Sequence, residues 1–263
     1  MLGKLLKYEI KACGRTFIPI YIAILVMSFA NAIFINTQMF DVSVISSFVL
    51  VGLFISLGVL TIVLIIQRFK KNLLEDEGYL MFTLPVNTRS LVLSKLISSI
   101  IYVFLSGIVA LISFQIIALI MASQIVGGNN IPLILEGYNS IFKFVFSDDN
   151  WKGILWILLL FLISYSSFIL TIYTSISMGQ LPKLNKHRNI AAFVAFFIIN
   201  IIVSSVQDIV VNMTGVSYEN LPIGDGGVLT LGTSYGVIGF DIMIVIILFI
   251  ATTYILDKKL NLE

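Results

Sequence analysis

The chain is short of the side chains that carry most protein chemistry. It has one cysteine, Cys13, so no disulfide framework can form, and one histidine, His187, which leaves no credible transition-metal or haem site. No His-Glu-x-x-His pattern occurs, and Ser/His/Asp catalysis would have to use that single His187 in a basic connecting segment, where a solvated loop residue is the simpler reading. No Gly-x-x-x-x-Gly-Lys-Ser/Thr phosphate loop exists, so any ATP this protein uses must be bound by another chain. Charge is scarce as well: 11% of residues are Asp, Glu, Lys or Arg, with a net charge of +2. An ordinary soluble domain does not look like this.

What is abundant is apolar length. Hydrophobic residues make up 59% of the 263 residues, and the mean hydropathy is +1.05. A helix needs roughly 20 mostly apolar residues to cross about 30 Å of hydrocarbon. Six stretches qualify: 17–36, 44–67, 96–123, 154–178, 190–211 and 237–256. In lipid the backbone must satisfy its own hydrogen bonds, so these are expected as helices. The predicted fold class is an all-α integral membrane protein, 1–263 forming a single transmembrane domain.

The basic residues orient the spans. Lys4, Lys7, Lys11 and Arg15 precede the first; Arg68, Lys70, Lys71, Arg89 and Lys95 lie between the second and third. Lys183, Lys186 and Arg188 lie between the fourth and fifth, and Lys258 and Lys259 follow the sixth. Fourteen of the sixteen basic residues thus fall in alternate connections, with Lys143 and Lys152 on the other side. The positive-inside rule then places both termini in the cytoplasm.

Within the first 15 residues, Leu2, Leu6, Ile10 and Cys13 share one helical side, and Lys4, Lys7, Lys11 and Arg15 form a stripe opposite. This pattern describes an interfacial helix over 1–15 lying on anionic lipid. A basic flank that only sets topology is the plainer alternative. On the opposite side of the membrane, Gln124 to Gly153 and Asn212 to Gly236 are long enough to hold short helices or a cap, and Gly224-Asp225-Gly226-Gly227 is turn material.

The spans are nearly free of ionisable groups, which disfavours an ion-coupled secondary transporter. Polar uncharged residues are more telling. Asn200, Ser204, Gln207 and Asp208 fall at i, i+4, i+7 and i+8 in span five and form a candidate pathway face, with helix packing as the equal alternative. In span four, Ser164, Ser166, Ser167, Thr171, Thr174, Ser175 and Ser177 are read first as packing and hydrogen-bonding positions.

Between spans two and three lies the acidic segment 72–84. Treated as a helix, it gathers Leu73, Leu80, Met81 and Leu84 on one side, and Glu75, Asp76, Tyr79 and Thr83 on the other. Pro85 stops it, and Asn87 or Thr88 can cap the next helix. Tyr79 and Phe82 beside charge suit a protein-binding anchor, whereas an amphipathic connector is the bland reading.

The run Arg68-Phe-Lys-Lys-Asn-Leu-Leu-Glu-Asp-Glu-Gly-Tyr-Leu-Met-Phe-Thr-Leu-Pro85, followed by Ser94-Lys95-Leu96, resembles the ABC transporter permeases of bacterial type-2 exporter systems. Ser177-Met-Gly-Gln-Leu181 with Lys186-His-Arg188 is similar to the family's segment after its fourth span. The resemblance implies a multi-pass subunit in the bacterial plasma membrane, not itself an enzyme. It would pair with a second permease, as homodimer or heterodimer, and with cytoplasmic ABC ATPase subunits that bind ATP and Mg. It implies no cofactor in this chain and no nucleic-acid partner. Residues 1–15 would be an elbow helix, and 72–84 a coupling helix docking on the ATPase through Glu75, Asp76, Glu77, Gly78, Tyr79, Leu80, Met81 and Phe82. Short re-entrant helices would lie between the last two spans, with Asn212 to Gly236 as the candidate. The competing expectation is a membrane-embedded immunity or sensor subunit that binds a partner and moves nothing.

Overall fold

A computed structural model describes residues 2–36, 40–74, 86–125, 136–140, 143, 150–181, 187–214, 217–223, 227–233 and 235–258. Among the described residues there are six long helices: α1 (Leu2–Asn36), α2 (Phe40–Leu73), α3 (Thr88–Ile125), α4 (Asn150–Gly179), α5 (Arg188–Thr214) and α6 (Tyr235–Lys258). All six are long and apolar enough to cross a membrane. This is a multi-pass membrane protein.

The helices overrun the apolar stretches that predict them. At 1.5 Å per residue, the 35 residues of α1 span about 52 Å, against about 30 Å of hydrocarbon. Tilt or protrusion must absorb the excess. The predicted interfacial segment and the first span form one continuous helix, with no break between residues 15 and 17. The change of sequence pattern there coincides instead with Pro19, which removes one intrahelical N–H inside the helix without ending it.

The connection between α5 and α6 departs from expectation. Asn212 to Gly236 holds an antiparallel two-stranded hairpin, β1 (Ser217–Ile223) and β2 (Gly227–Thr233), rather than re-entrant helices. Its register pairs Ser217 with Thr233 and Ile223 with Gly227, which leaves residues 224–226 as the connection. In the other long connection, residues 136–140 form a helical turn.

Two compact units share the chain. The first comprises 1–2, 65–96 and 144–263, and the second 3–64 and 97–143.

In the second unit, Cys13, Phe17, Ile24, Leu50, Leu57 and Tyr102 form the core. Phe17 stacks on Tyr102 with ring centroids 4.6 Å apart. Gly14 lets the chain pass close to that ring, since a Cβ there would sit 3.1 Å from the Tyr102 hydroxyl, and that hydroxyl donates to the Ile10 carbonyl. Two further polar links follow one register. Tyr21 and Ser106 hydroxyls are 2.9 Å apart, and Ser28 hydrogen-bonds Ser113 seven residues further along both helices. A constant offset of 85 residues at two points means that α1 and α3 run in the same direction, as two helices separated by one return span must. Near the α1–α2 connection, Asn31 Oδ1 accepts from the hydroxyls of Ser46 (2.6 Å) and Ser47 (3.2 Å). Such links stabilise helix pairs in lipid by about 0.6–2 kcal/mol each.

In the first unit, α4 is the central helix, packing against both α5 and α6. Thr171, Thr174, Ser175 and Ser177 are all buried. Thr174 pairs with Thr252 of α6 at 2.8 Å, while the other three return their hydroxyls to their own helix's carbonyls. Phe69 at the end of α2 stacks on Tyr173 with centroids 4.1 Å apart, and both side chains are essentially inaccessible.

Candidate functional site

The end of the first unit where α2 stops and α3 starts gathers the features that the sequence singled out. Lys70 Nζ at the end of α2 donates to Asn189 Oδ1 at the start of α5 (3.3 Å). Thr88, the first residue of α3, donates its hydroxyl to Asp257 at the end of α6. The Phe69–Tyr173 stack ties the same end of α2 to α4. One end of the unit therefore carries the end of α2, the start of α3, the end of α4, the start of α5 and the end of α6. Arg68, Lys70, Lys71, Arg89, Arg188 and Lys258 all lie in these terminal turns, and Lys258 sits 5.6 Å over the Tyr254 ring. Five of the helix ends that the charge partition assigns to one side of the membrane are thus neighbours in space.

This end frames the acidic segment. Leu73 and Leu74 are buried at its entry, where the Leu74 amide still bonds the Lys70 carbonyl and carries the helical hydrogen bonding of α2 one residue further. At its exit the Asn87 carbonyl accepts from the Ser90 and Leu91 amides, which makes Asn87 the residue at the cap position of α3. Asn72 and Leu73 belong to this last turn of α2. Glu75, Asp76, Glu77, Gly78, Tyr79, Leu80, Met81 and Phe82, proposed for docking, lie outside the described residues.

The structure gives a physical reason for the Ser177-Met-Gly-Gln-Leu181 segment. A Cβ on Gly179 would stand 2.6 Å from the Arg188 carbonyl oxygen and 3.1 Å from Ala192 Cβ. Only glycine lets the end of α4 approach the start of α5 so closely, and the Lys70–Asn189 bond sets that basic start of α5 beside the acidic segment's entry. Gly179 carries no charge or functional group, so composition gives little sign of this role.

Lys95 is a second residue whose placement the sequence did not disclose. It is 2% exposed, among buried Leu91, Val92, Ser94 and Leu96 on the first turns of α3. A charge at such a position is costly unless it is compensated, and Lys95 does have interaction partners in the fold.

The basic stripe of the first helix is where periodicity puts it. Lys4, Lys7, Lys11 and Arg15 are exposed, and Cys13 on the opposite side is buried.

The span-five face is split. Asn200, Ser204 and Asp208 are exposed on α5, whereas Gln207 is half-buried on the side of Ala192, Ala195 and Val203 that packs inward. Asn200 Nδ2 donates to the Phe196 carbonyl of its own helix (2.7 Å), and Ser204 to that of Ile201 (3.1 Å). Asn200 stands near the midpoint of α5, and Asp208 near the end away from the basic cluster. Polar side chains thus occupy an otherwise apolar outward face at mid-span.

Comparison with protein-family models, with curated proteins and with solved structures finds no match to this chain.

Proposed function

We propose that this chain is the permease subunit of an ATP-driven ABC transporter of the bacterial plasma membrane, most naturally an exporter, with both termini in the cytoplasm. Two copies of a permease and two cytoplasmic ATPase subunits, which bind ATP and Mg, would make the working assembly. The observation that supports this reading best is the joining of five helix ends around the entry and exit of residues 75–85. A force applied to that segment reaches α2 and α3 directly, and α4, α5 and α6 through Phe69–Tyr173, Lys70–Asn189 and Thr88–Asp257. A connector serving topology alone needs no such bracing.

In the proposed cycle, ATP-driven closure of the partner ATPase pushes on Glu75 to Phe82. The helix ends move together, and a pathway bordered by Asn200, Ser204, Gln207 and Asp208 changes its access from one side to the other. No residue of this chain performs chemistry on ATP; its part is to receive the push and to reshape the path.

The test is co-expression with neighbouring reading frames, purification of the tagged chain in detergent, and assay for a bound ATPase and for hydrolysis in nanodiscs. A stoichiometric ATPase that is lost in the Tyr79→Ala, Phe82→Ala double variant supports the reading and the docking segment together. A solitary chain refutes the permease reading and favours the immunity or sensor role, whereas an ATPase retained undiminished by that variant refutes the docking segment alone.

A further inference from the structure

The outward face of α5 presents a seam that lipid cannot satisfy. Phe193, Phe197, Asn200, Ser204 and Asp208 succeed one another at spacings of four, three, four and four residues, so they share one side of the helix. All five are exposed, Phe193 at 65% and Phe197 at 49%. The two rings meet edge to face at 4.7 Å, forming a compact aromatic end to the seam. Next to them, near mid-membrane, comes Asn200. Its single hydrogen bond among the described residues, to the Phe196 carbonyl, uses one N–H and leaves the side-chain carbonyl and the second N–H unmet. An amide with donor and acceptor unmet at that depth is costly in hydrocarbon.

We propose that this seam is the contact between two copies of the chain, with Asn200 of one α5 hydrogen-bonded to Asn200 of the other about a two-fold axis along the membrane normal. A carboxamide is its own complement, offering an N–H to the other copy's oxygen and receiving the same in return. That is what an isologous contact demands, since each residue meets itself. A polar residue placed within a helical seam also fixes register and partner number, and asparagine is the best-attested case. Ser204, one turn on, is small enough for close approach.

The opposite end of the seam behaves differently. Paired Asp208 carboxylates would repel, so the two helices part toward that end and admit water between them. The contact is tight at Asn200 and open at Asp208. This deepens the permease reading by placing the closed constriction of the pathway at a named residue, and it rests on that reading only in requiring paired permease copies.

The experiment is oxidative cross-linking of the full-length chain in native membranes, without any ATPase, in a Cys13→Ala background. Asn200→Cys is compared with Asp208→Cys and with Ile55→Cys on an exposed face of α2. Disulfides form only when Cα atoms come within about 7 Å, so the yield reads direct contact. The expected result is a covalent dimer for Asn200→Cys, background yield for the other two, and labelling of Asp208→Cys by a membrane-impermeant maleimide. In nanodiscs, Asn200→Leu should weaken self-association about 3- to 30-fold, with Asn200→Gln restoring most of it. Maleimide labelling of Asn200→Cys without cross-linking would mean an open aqueous path, and neither labelling nor cross-linking would mean a lipid-facing residue; either overturns the proposal. Because no ATPase takes part, failure here leaves the docking result standing, and loss of docking leaves the cross-link standing.

Discussion

Replacing Gly179 by alanine adds one methyl group at the tightest approach between α4 and α5. That methyl would meet the Arg188 carbonyl oxygen at 2.6 Å, the Ala192 amide nitrogen at 3.3 Å and Ala192 Cβ at 3.1 Å. Two of these neighbours are backbone atoms, which cannot rotate away, so the helix ends must separate. Overpacking of this kind costs about 1–3 kcal/mol. Gly179 is the last residue of α4, so little helix-propensity gain offsets it. Gly58, inside α2, provides the internal standard, because a Cβ there meets nothing within 4 Å. Gly58→Ala should be neutral or stabilising by up to about 1 kcal/mol, through reduced freedom of the unfolded chain. Both variants are made in the full chain, purified in the same detergent and melted with intrinsic fluorescence or a thiol-independent dye. At roughly 2–4 °C per kcal/mol for a chain of this size, Gly179→Ala should melt at least about 3 °C below Gly58→Ala. Equal melting temperatures would show that the α4–α5 approach is loose, and the account of the Ser177–Leu181 segment would fall with it.

Three other outcomes are expected. Tyr173→Ala removes a fully buried ring stacked on Phe69 and should cost about 3–5 kcal/mol, read as a sharp loss of monodisperse protein on gel filtration, whereas Tyr173→Phe should keep most of the yield. Thr174→Val deletes the hydroxyl pair with Thr252 while holding the shape, so a loss of about 0.5–1.5 kcal/mol is expected; a double cycle with Thr252→Val should show the two losses to be less than additive. Single cysteines placed at Lys71 and at Lys143 in a Cys13→Ala background should label from opposite sides of sealed vesicles; labelling from the same side would refute a single span between them.

The six spans were legible because hydrocarbon imposes both length and helicity, and apolar runs of that length have few other uses. Their ends were less so. The pattern change between Arg15 and Phe17 reads as a boundary between an interfacial helix and a span, yet hydrogen bonding carries one helix through it, since helical geometry serves both environments. The hairpin was half legible: Gly224 to Gly227 announced the turn, but strands only seven residues long, one holding Pro222, give too weak an alternating pattern to declare themselves. Hydroxyls in span four were recognisable as packing positions, but Thr252, the partner of Thr174, is 78 residues away and local pattern cannot name it. The span-five face was drawn from periodicity alone. Burial separates Gln207 from Asn200, Ser204 and Asp208, because 3.6-residue geometry fixes relative angle and says nothing of which side a neighbouring helix occupies.

The shared register of α1 and α3 has a bearing on how the protein is made. Tyr21 and Ser28 find their partners, Ser106 and Ser113, 85 residues later in the chain. At about 5–20 residues per second of synthesis, the first helix stands in the bilayer for some 4–17 seconds before the third can emerge to meet it. Throughout that interval its hydroxyls face lipid or the insertion machinery. A nascent chain stalled after α2 would display a polar seam with no mate, a recognisable mark for membrane quality control, and one that disappears only when α3 arrives.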